Sequence, residues 1–192
     1  RIYNCGFTNC AVAIGADIQT DVLYIHNLSV QRNKVGICLY RSDAEVHDCL
    51  FCENIGMESV IWDNKTYNIN CADICVNDGK IYNNAFRRSG MCYDIFKVYE
   101  HESGLESDDV KPISSVVVRQ RAHIVGNIFF DCIYANCIRI MMKPDFLLIE
   151  GNSFTKWGHK DQIDDCRKSA ICFDAGSVLG TIMNNRFYSD SN

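Results

Sequence analysis

Three charged residues on predicted strands, Lys97, Arg139 and Asp174, could together act on an acidic ligand. Side chains alternate between the two faces of a strand, and the apolar neighbours of these residues take the inward positions. The three charges would then point outward from successive strands, with roughly 5 Å between neighbours. An arginine can bind a uronate carboxylate bidentately, and a cation whose pKa is lowered by a like-charged neighbour can abstract a proton. We therefore predict these residues as a catalytic group, with an ordinary cross-strand salt bridge as the alternative.

Flat aromatic side chains near this group could bind sugar rings. Tyr40 and Tyr99 take outward positions at the ends of predicted strands, whereas the phase of the strand that contains Trp62 is ambiguous. Trp157 and His159 lie together in a polar loop, where the imidazole could bind sugar or act as an acid or base. We predict these five residues as substrate-binding.

A glycoside hydrolase would need two carboxylates about 5 to 10 Å apart across the glycosidic bond. Asp174 is one candidate, because it faces outward in the prediction above. Its possible partners lie in loops or at the ends of other strands: Asp63, Glu100, Asp164 and Asp165.

A six-residue pattern that recurs along the chain must position all these residues. It consists of an apolar residue, any residue, a small polar residue, Asn, any residue and an aromatic residue, as in 81–86. The shorter intervals between copies are 21 to 25 residues, and the longer ones indicate inserted loops. A unit this short cannot bury its own apolar side chains, so successive copies must stack. The seven copies begin at Ile2, Ile25, Val46, Ile81, Ile124, Ile149 and Ile182.

The Asn position has a physical role at a bend between two strands. After Gly, Asn is the residue that most readily adopts positive φ. Its amide both donates and accepts, so stacked Asn side chains can form a hydrogen-bonded row at the strand spacing of about 4.8 Å. We expect Asn84, Asn127 and Asn152 to lie above one another, with the apolar and aromatic positions pointing inward.

This repeated bend resembles that of right-handed parallel β-helices, and the chain is similar to the pectin-lyase-like superfamily through nearly its whole length. That superfamily contains pectate lyases, polygalacturonases, epimerases and phage tailspikes. The resemblance implies an all-β fold, a right-handed parallel β-helix of about seven rungs with an Asn ladder, in one domain spanning 1–192. The motifs of calcium-binding acids with a catalytic arginine, and of clustered aspartates, do not match here. No catalytic residue is therefore transferred from the superfamily.

The resemblance also implies which strands carry a ligand groove. Each of these strands comes after the short strand that follows a bend and after a further turn. The inserted loops 63–75, 100–112 and 157–168 lie beside the same face, where binding residues are usually found. The predicted groove strands are 11–14, 35–40, 59–62, 95–99, 136–141 and 170–174.

Composition limits the partners and cofactors that we expect. Lys and Arg total 19 against 24 Asp and Glu, a net charge of −5, so nucleic acid would gain no general attraction. No apolar run is long enough for a membrane span, and no cofactor motif occurs. Since the twelve cysteines fall within the repeat, we expect most to be reduced core residues in an extracellular or virion protein rather than a disulfide framework. The one ligand that we expect is a polysaccharide. It would be acidic if it contacts Lys97, Arg139 and Asp174.

The chain opens and closes inside copies of the repeat. Solenoids normally cover their ends, because an open end exposes unpaired strand edges. We expect a fragment of a longer helix, or ends covered by another chain, as in a homotrimer.

Two functions remain open at this point. The first is a carbohydrate-active β-helix, of lyase or glycoside hydrolase type if it is an enzyme. The second is a non-enzymatic solenoid such as a tailspike stem or adhesin segment, which would expose apolar residues for self-association. The sequence suggests Met141, Met142, Phe146 and Leu147 for that patch.

Overall fold

All regular structure in the described residues is β-strand. The computed structural model describes residues 1–16, 21–90, 113–132, 136–141, 146–157, 169–174 and 179–188, which contain 21 strands in three sheets. In this part of the chain there is no helix of the length and apolarity that crossing a membrane requires.

The first sheet contains the strands that precede each bend. Its seven strands pair in parallel and follow one another in space as they do along the chain. They are β1 (Ile2–Tyr3), β4 (Leu23–His26), β7 (Ala44–His47), β11 (Gly79–Tyr82), β14 (Ala122–Val125), β17 (Leu147–Glu150) and β20 (Thr181–Met183).

The second sheet contains the strands that follow each bend, also in parallel and in chain order. They are β2 (Gly6–Thr8), β5 (Ser29–Gln31), β8 (Leu50–Cys52), β12 (Ala85–Arg87), β15 (Ile128–Cys132), β18 (Ser153–Trp157) and β21 (Arg186–Tyr188).

The third sheet completes each winding. Because the chain visits the three sheets in turn and returns one strand further on, the architecture is that of a parallel β-solenoid. The parallel strands are β3 (Val12–Gly15), β6 (Val35–Leu39), β10 (Lys65–Val76), β13 (Ser114–Val118), β16 (Asn136–Ile140) and β19 (Ile171–Phe173).

The register confirms the predicted stacking of the apolar and aromatic positions. Each apolar residue that opens a copy of the pattern pairs with its counterpart in the next strand of the first sheet. In the second sheet the aromatic positions pair in the same way, and their phenyl rings stack with centroids 4.6 to 5.0 Å apart. These rings are Phe51, Phe86, Phe129, Phe154 and Phe187.

Two adjacent residues have different roles at the bend between the first and second sheets. The third position of the pattern adopts positive φ, between 53° and 64°, and is Asn, Asp or Gly in every copy. The Asn at the fourth position instead supplies hydrogen bonds. Asn84 donates its side-chain amide to Asn127 Oδ1 at 3.1 Å, Asn127 to Asn152 at 3.0 Å, and Asn152 to Asn185 at 2.9 Å. The expectation that one Asn would perform both roles was therefore wrong.

A second row of polar side chains lies at the bend between the second and third sheets. Asn33 donates to Asn54 Oδ1 at 3.1 Å, and Asn54 donates to Asp73 Oδ1 at 2.8 Å. The Ser89 hydroxyl donates to the other oxygen of Asp73, whose side chain is fully buried. Burial raises the pKa of Asp73 to about 8, although the hydrogen bonds from Ser89 and Asn54 oppose the rise.

An inserted hairpin corrects the predicted groove strands. β9 (Met57–Trp62) pairs antiparallel with the beginning of β10, so 59–62 is not a strand of the parallel sheet. The end of β10 takes that place, with Ile74 opposite Ile37. In the next winding the strand is β13, which begins at Ser114, whereas 95–99 lies outside the described residues.

The hairpin creates a second apolar cluster, outside the interior that the three sheets enclose. The main core fills the space between the three sheets, while Cys38, Cys75 and Val117 point to the outer side of the third sheet. They are nonetheless fully buried, because Tyr67 and Ile69 of the hairpin cover them. The ten cysteines of the described part are free and seven of them are buried, which agrees with their predicted role as small core residues.

Candidate functional site

The outer face of the third sheet carries a row of residues at the ends of its strands. These residues directly follow the paired positions Leu39, Val76, Val118, Ile140 and Phe173. Side chains in such a row repeat at the strand spacing of about 4.8 Å. We call this row the strip: Tyr40, Asn77, Arg119, Met141 and Asp174.

Arg139 and Asp174 form a close ion pair at one end of the strip. Arg139 Nε lies 3.0 Å from both carboxylate oxygens of Asp174, and a terminal guanidinium nitrogen lies 2.8 Å from Oδ2. Arg139 is 7 % exposed, so the pair is shielded from solvent on the arginine side. A guanidinium held in this way positions a carboxylate and does not accept a proton. The geometry is that of the cross-strand salt bridge named above as the alternative.

Aromatic rings and arginines gather at the other end of the strip. The Tyr40 and Tyr67 ring centroids are 4.9 Å apart with planes tilted by 59°, and Trp62 lies 5.8 Å from Tyr67. The Arg119 guanidinium carbon lies 3.9 Å from the Tyr40 ring centroid, within the range of a cation–π contact. Arg41 donates to the Tyr67 hydroxyl at 3.1 Å. We call these five residues the aromatic–arginine cluster.

A tight turn places Trp62 and Tyr67 in this cluster. Trp62 pairs with Lys65 across a two-residue connection, and both connecting residues, Asp63 and Asn64, have positive φ. Positive φ at both positions is the requirement of a type I′ turn, which matches the twist of the flanking strands. The ambiguous phase of this strand is thereby resolved: Trp62 is half-buried within the cluster, and Asp63 is exposed at the turn.

The remaining predicted site residues lie elsewhere. Trp157 ends β18 in the second sheet and packs on the main core, with its ring 6.0 Å from that of Phe187. Lys97, Tyr99, His159, Glu100, Asp164 and Asp165 lie outside the described residues. Of the predicted group, the structure brings Tyr40, Trp62, Arg139 and Asp174 to one face.

Sequence reasoning missed three members of the cluster. Tyr67 lies in a segment predicted as a loop, although the alternation on either side of Asp63-Asn64 was a usable hairpin signal. Arg41 and Arg119 follow the ends of strands, where no periodicity identifies a face. Their positions depend on pairing between strands far apart in the chain.

The described residues contain no group of three or more His, Cys, Asp or Glu side chains placed to hold a metal ion. No protein-family model matches the chain, and comparisons with curated proteins and with solved structures gave no significant match.

Proposed function

We propose that the chain is a right-handed parallel β-helix of the pectin-lyase-like type, with about seven rungs and an Asn ladder, and that it binds an acidic polysaccharide along the strip. The observation that carries this proposal is the aromatic–arginine cluster at the end of that row. Arg41 is exposed and Arg119 is half-buried, so both can contribute positive potential at the surface.

The spacing of the strip suits a polymer better than a compact ligand. Neighbouring positions repeat at about 4.8 Å, a distance similar to the length of one sugar ring. Arginine binds carboxylates through two parallel hydrogen bonds, and the half-buried Trp62 offers an apolar ring for the face of a sugar. A uronate-containing chain would therefore meet charge and ring contacts together.

Cleavage of the bound chain is the activity that the superfamily resemblance implies. In the proposed site Arg139 and Asp174 act as a positioning pair, since each neutralises the other. A base or acid for elimination or hydrolysis must then come from a residue other than Arg139. We therefore propose binding of the polysaccharide, and turnover is measured on the same substrates.

The test replaces the exposed cation and the ring of the cluster. Arg41→Ala should weaken binding of polygalacturonate or alginate by about tenfold, since a hydrogen bond to a charged group contributes roughly 1.5 to 3 kcal/mol. Trp62→Ala should also weaken binding, because it removes the apolar ring that packs on a sugar face. Binding should also weaken as salt rises from 50 to 500 mM, because exposed charges are screened. Isothermal titration calorimetry measures both effects, and release of unsaturated or reducing ends measures turnover.

Arg87→Ala is the matched control, because Arg87 is an exposed arginine on the outer face of the second sheet. The proposal fails if acidic glycans do not bind, or if Arg87→Ala weakens binding as much as Arg41→Ala does. Equal affinity for a neutral mannan would remove the role given to the arginines.

A second candidate, a self-associating structural solenoid, is favoured by one observation. Leu50, Ala85 and Ile128 occupy paired positions on the outer face of the second sheet, with Phe130 two residues further on. Leu50 is 40 % exposed, Ile128 54 % and Phe130 43 %. The patch suggested from the sequence is different. Leu147 is buried, Met141 is partly buried against the second apolar cluster, Phe146 is exposed, and Met142 lies outside the described residues.

Light scattering distinguishes the two candidates. If the second-sheet row is an association surface, the wild-type chain forms a defined oligomer and Ile128→Asp converts it to a monomer with an unchanged circular dichroism spectrum. A wild-type monomer at 100 μM would exclude this surface as a stem contact.

A further inference from the structure

A groove runs across the outer face of the first sheet, and Asn77 of the strip borders it through a hydrogen bond to Asp43. Two rows of side chains line it. One row comprises the residues that directly precede the strands, and includes Asp43, Asp78, Arg121 and Phe146. The other occupies paired strand positions, and includes Tyr24 and Glu45.

Aromatic rings lie at both ends of this first-sheet groove. Tyr24, on β4, is 43 % exposed, and its ring centroid lies 5.8 Å from the Arg1 guanidinium carbon. Phe146, directly before β17, is 52 % exposed and has His123 at its edge, 6.3 Å away. Four strand steps separate the two, so the rings are about 19 Å apart along the stack. Sugars near the strand spacing in length would place the first and fifth rings of a chain that far apart, so the span matches a chain of about five sugar rings.

The charges between the rings are largely compensated within the protein. Arg121 holds Asp78 through contacts of 2.5 and 2.6 Å to Oδ2, and its backbone N–H donates to Oδ1 at 2.9 Å. Glu45 accepts a 2.7 Å hydrogen bond from the Tyr82 hydroxyl and lies 4.0 Å from the Lys80 ammonium. Asp43 accepts a hydrogen bond from the Asn77 amide at 3.3 Å.

Compensated charges of this kind favour hydroxyl groups over a charged ligand. A carboxylate can accept from a sugar hydroxyl, and a neighbouring guanidinium or ammonium can donate to one, without a net charge to be matched. A uronate would meet Asp43, Glu45 and Asp78, and a cationic sugar would meet Lys80 and Arg121. Like charges in contact would oppose both.

We propose that the first-sheet groove binds a neutral oligosaccharide of about five sugar rings, with Tyr24 and Phe146 stacking on the sugars at its two ends. None of the groove residues belongs to the aromatic–arginine cluster, so this proposal does not depend on the proposed acidic-polysaccharide site.

The experiment measures binding of neutral pentasaccharides and the matching disaccharides to the full chain. Cellopentaose, mannopentaose and xylopentaose are the probes, with calorimetry and saturation-transfer NMR as readouts. At least one pentamer should bind at least tenfold more tightly than its dimer, because only the pentamer reaches both rings. Tyr24→Ala and Phe146→Ala should each reduce the affinity for that pentamer by about tenfold and leave the affinity for the dimer within threefold.

Phe130→Ala is the matched control, since this ring is similarly exposed but lies on the second sheet. The proposal is overturned if none of the pentamers binds at millimolar concentration, if Phe130→Ala costs as much affinity as Phe146→Ala, or if pentagalacturonate binds as tightly as the neutral chains. Arg41→Ala should leave pentamer binding unchanged, so failure of the acidic site and failure of this groove give different results.

Discussion

Asp73 shows how a single side chain can make the stability of this fold depend on pH. Its carboxyl group is fully buried where the second polar row meets a register shift in β10, and it accepts hydrogen bonds from Asn54 and Ser89. Two donors do not replace the lost solvation of a carboxylate, so burial dominates and its pKa rises to about 8. The folded chain therefore favours the neutral acid.

The sign of the pH dependence follows from this shift. Between pH 3.8, the ordinary pKa, and about 8, the folded chain retains a proton that the unfolded chain has lost. The contribution of Asp73 to the free energy of unfolding is thus fully present below pH 3.8 and is lost as pH rises towards about 8. The loss amounts to at most roughly 1.4 kcal/mol per pH unit. Asp73→Asn should remove this slope, because its amide oxygen can still accept from Asn54 while its NH2 group donates to the Ser89 oxygen. Urea unfolding at pH 5 and pH 8.5 measures the slope.

The control for this prediction is Asp63→Asn, at the exposed hairpin turn, which should keep the wild-type slope. A slope in Asp73→Asn as steep as that of the wild type would assign the pH dependence to other groups.

At the scale of elements, the β9–β10 hairpin changes what the third sheet presents to solvent. A bare sheet would expose Cys38, Cys75 and Val117 on its outer face, but the hairpin buries all three. Tyr67 is central to this cover, since it is 8 % exposed and contacts both Tyr40 and Trp62. The hairpin therefore builds the aromatic–arginine cluster and protects the thiols beneath it.

Removing the Tyr67 ring should expose the Cys38 and Cys75 thiols to solvent. Tyr67→Ala removes a buried aromatic side chain, a change that typically costs 3 to 5 kcal/mol, and the loss should fall mainly on the hairpin. Labelling of Cys38 and Cys75 by a thiol reagent, located by mass spectrometry, should accelerate at least tenfold, whereas Cys132 in the main core should label at the wild-type rate. Thr66→Ala, an exposed change in the same hairpin, should have little effect. Rapid labelling of Cys38 in the wild type would contradict the inference that the hairpin shields this thiol from solvent.

The six-residue pattern predicts the register because an apolar column and an aromatic column flank a fixed bend. A shift by one residue would turn both columns outward, so only one alignment buries them. The hairpin was not predicted, because the alternation on either side of Asp63-Asn64, although compatible with a hairpin, also fits a strand with a parallel partner. The cluster was only partly predicted as a result. Tyr40 lies on a repeated strand and Tyr67 depends on the hairpin, while Arg41 and Arg119 reach the cluster through pairings between strands far apart in the chain.

At the scale of the molecule, each winding contacts chiefly the windings next to it. The stacked phenyl rings, the Asn side chains and the charged row at the second bend all pass from one winding to the next. In that charged row Glu53 bridges Arg32 at 3.0 Å and Arg88 at 2.8 Å, and Arg88 approaches Asp131 at 3.8 Å. Stability in such a stack is approximately a sum of terms for single windings and for their interfaces.

The shared register has a consequence for how such a chain can lengthen. Residues 23–43 supply one strand to each sheet and end where β7 begins at Ala44. A tandem copy of this segment would insert a complete coil, in which Ile25, Val30 and Ile37 meet partners of the same kind above and below. Gene duplication could therefore extend the protein by whole coils while the surface side chains diverge independently, which separates the evolution of its size from that of its specificity.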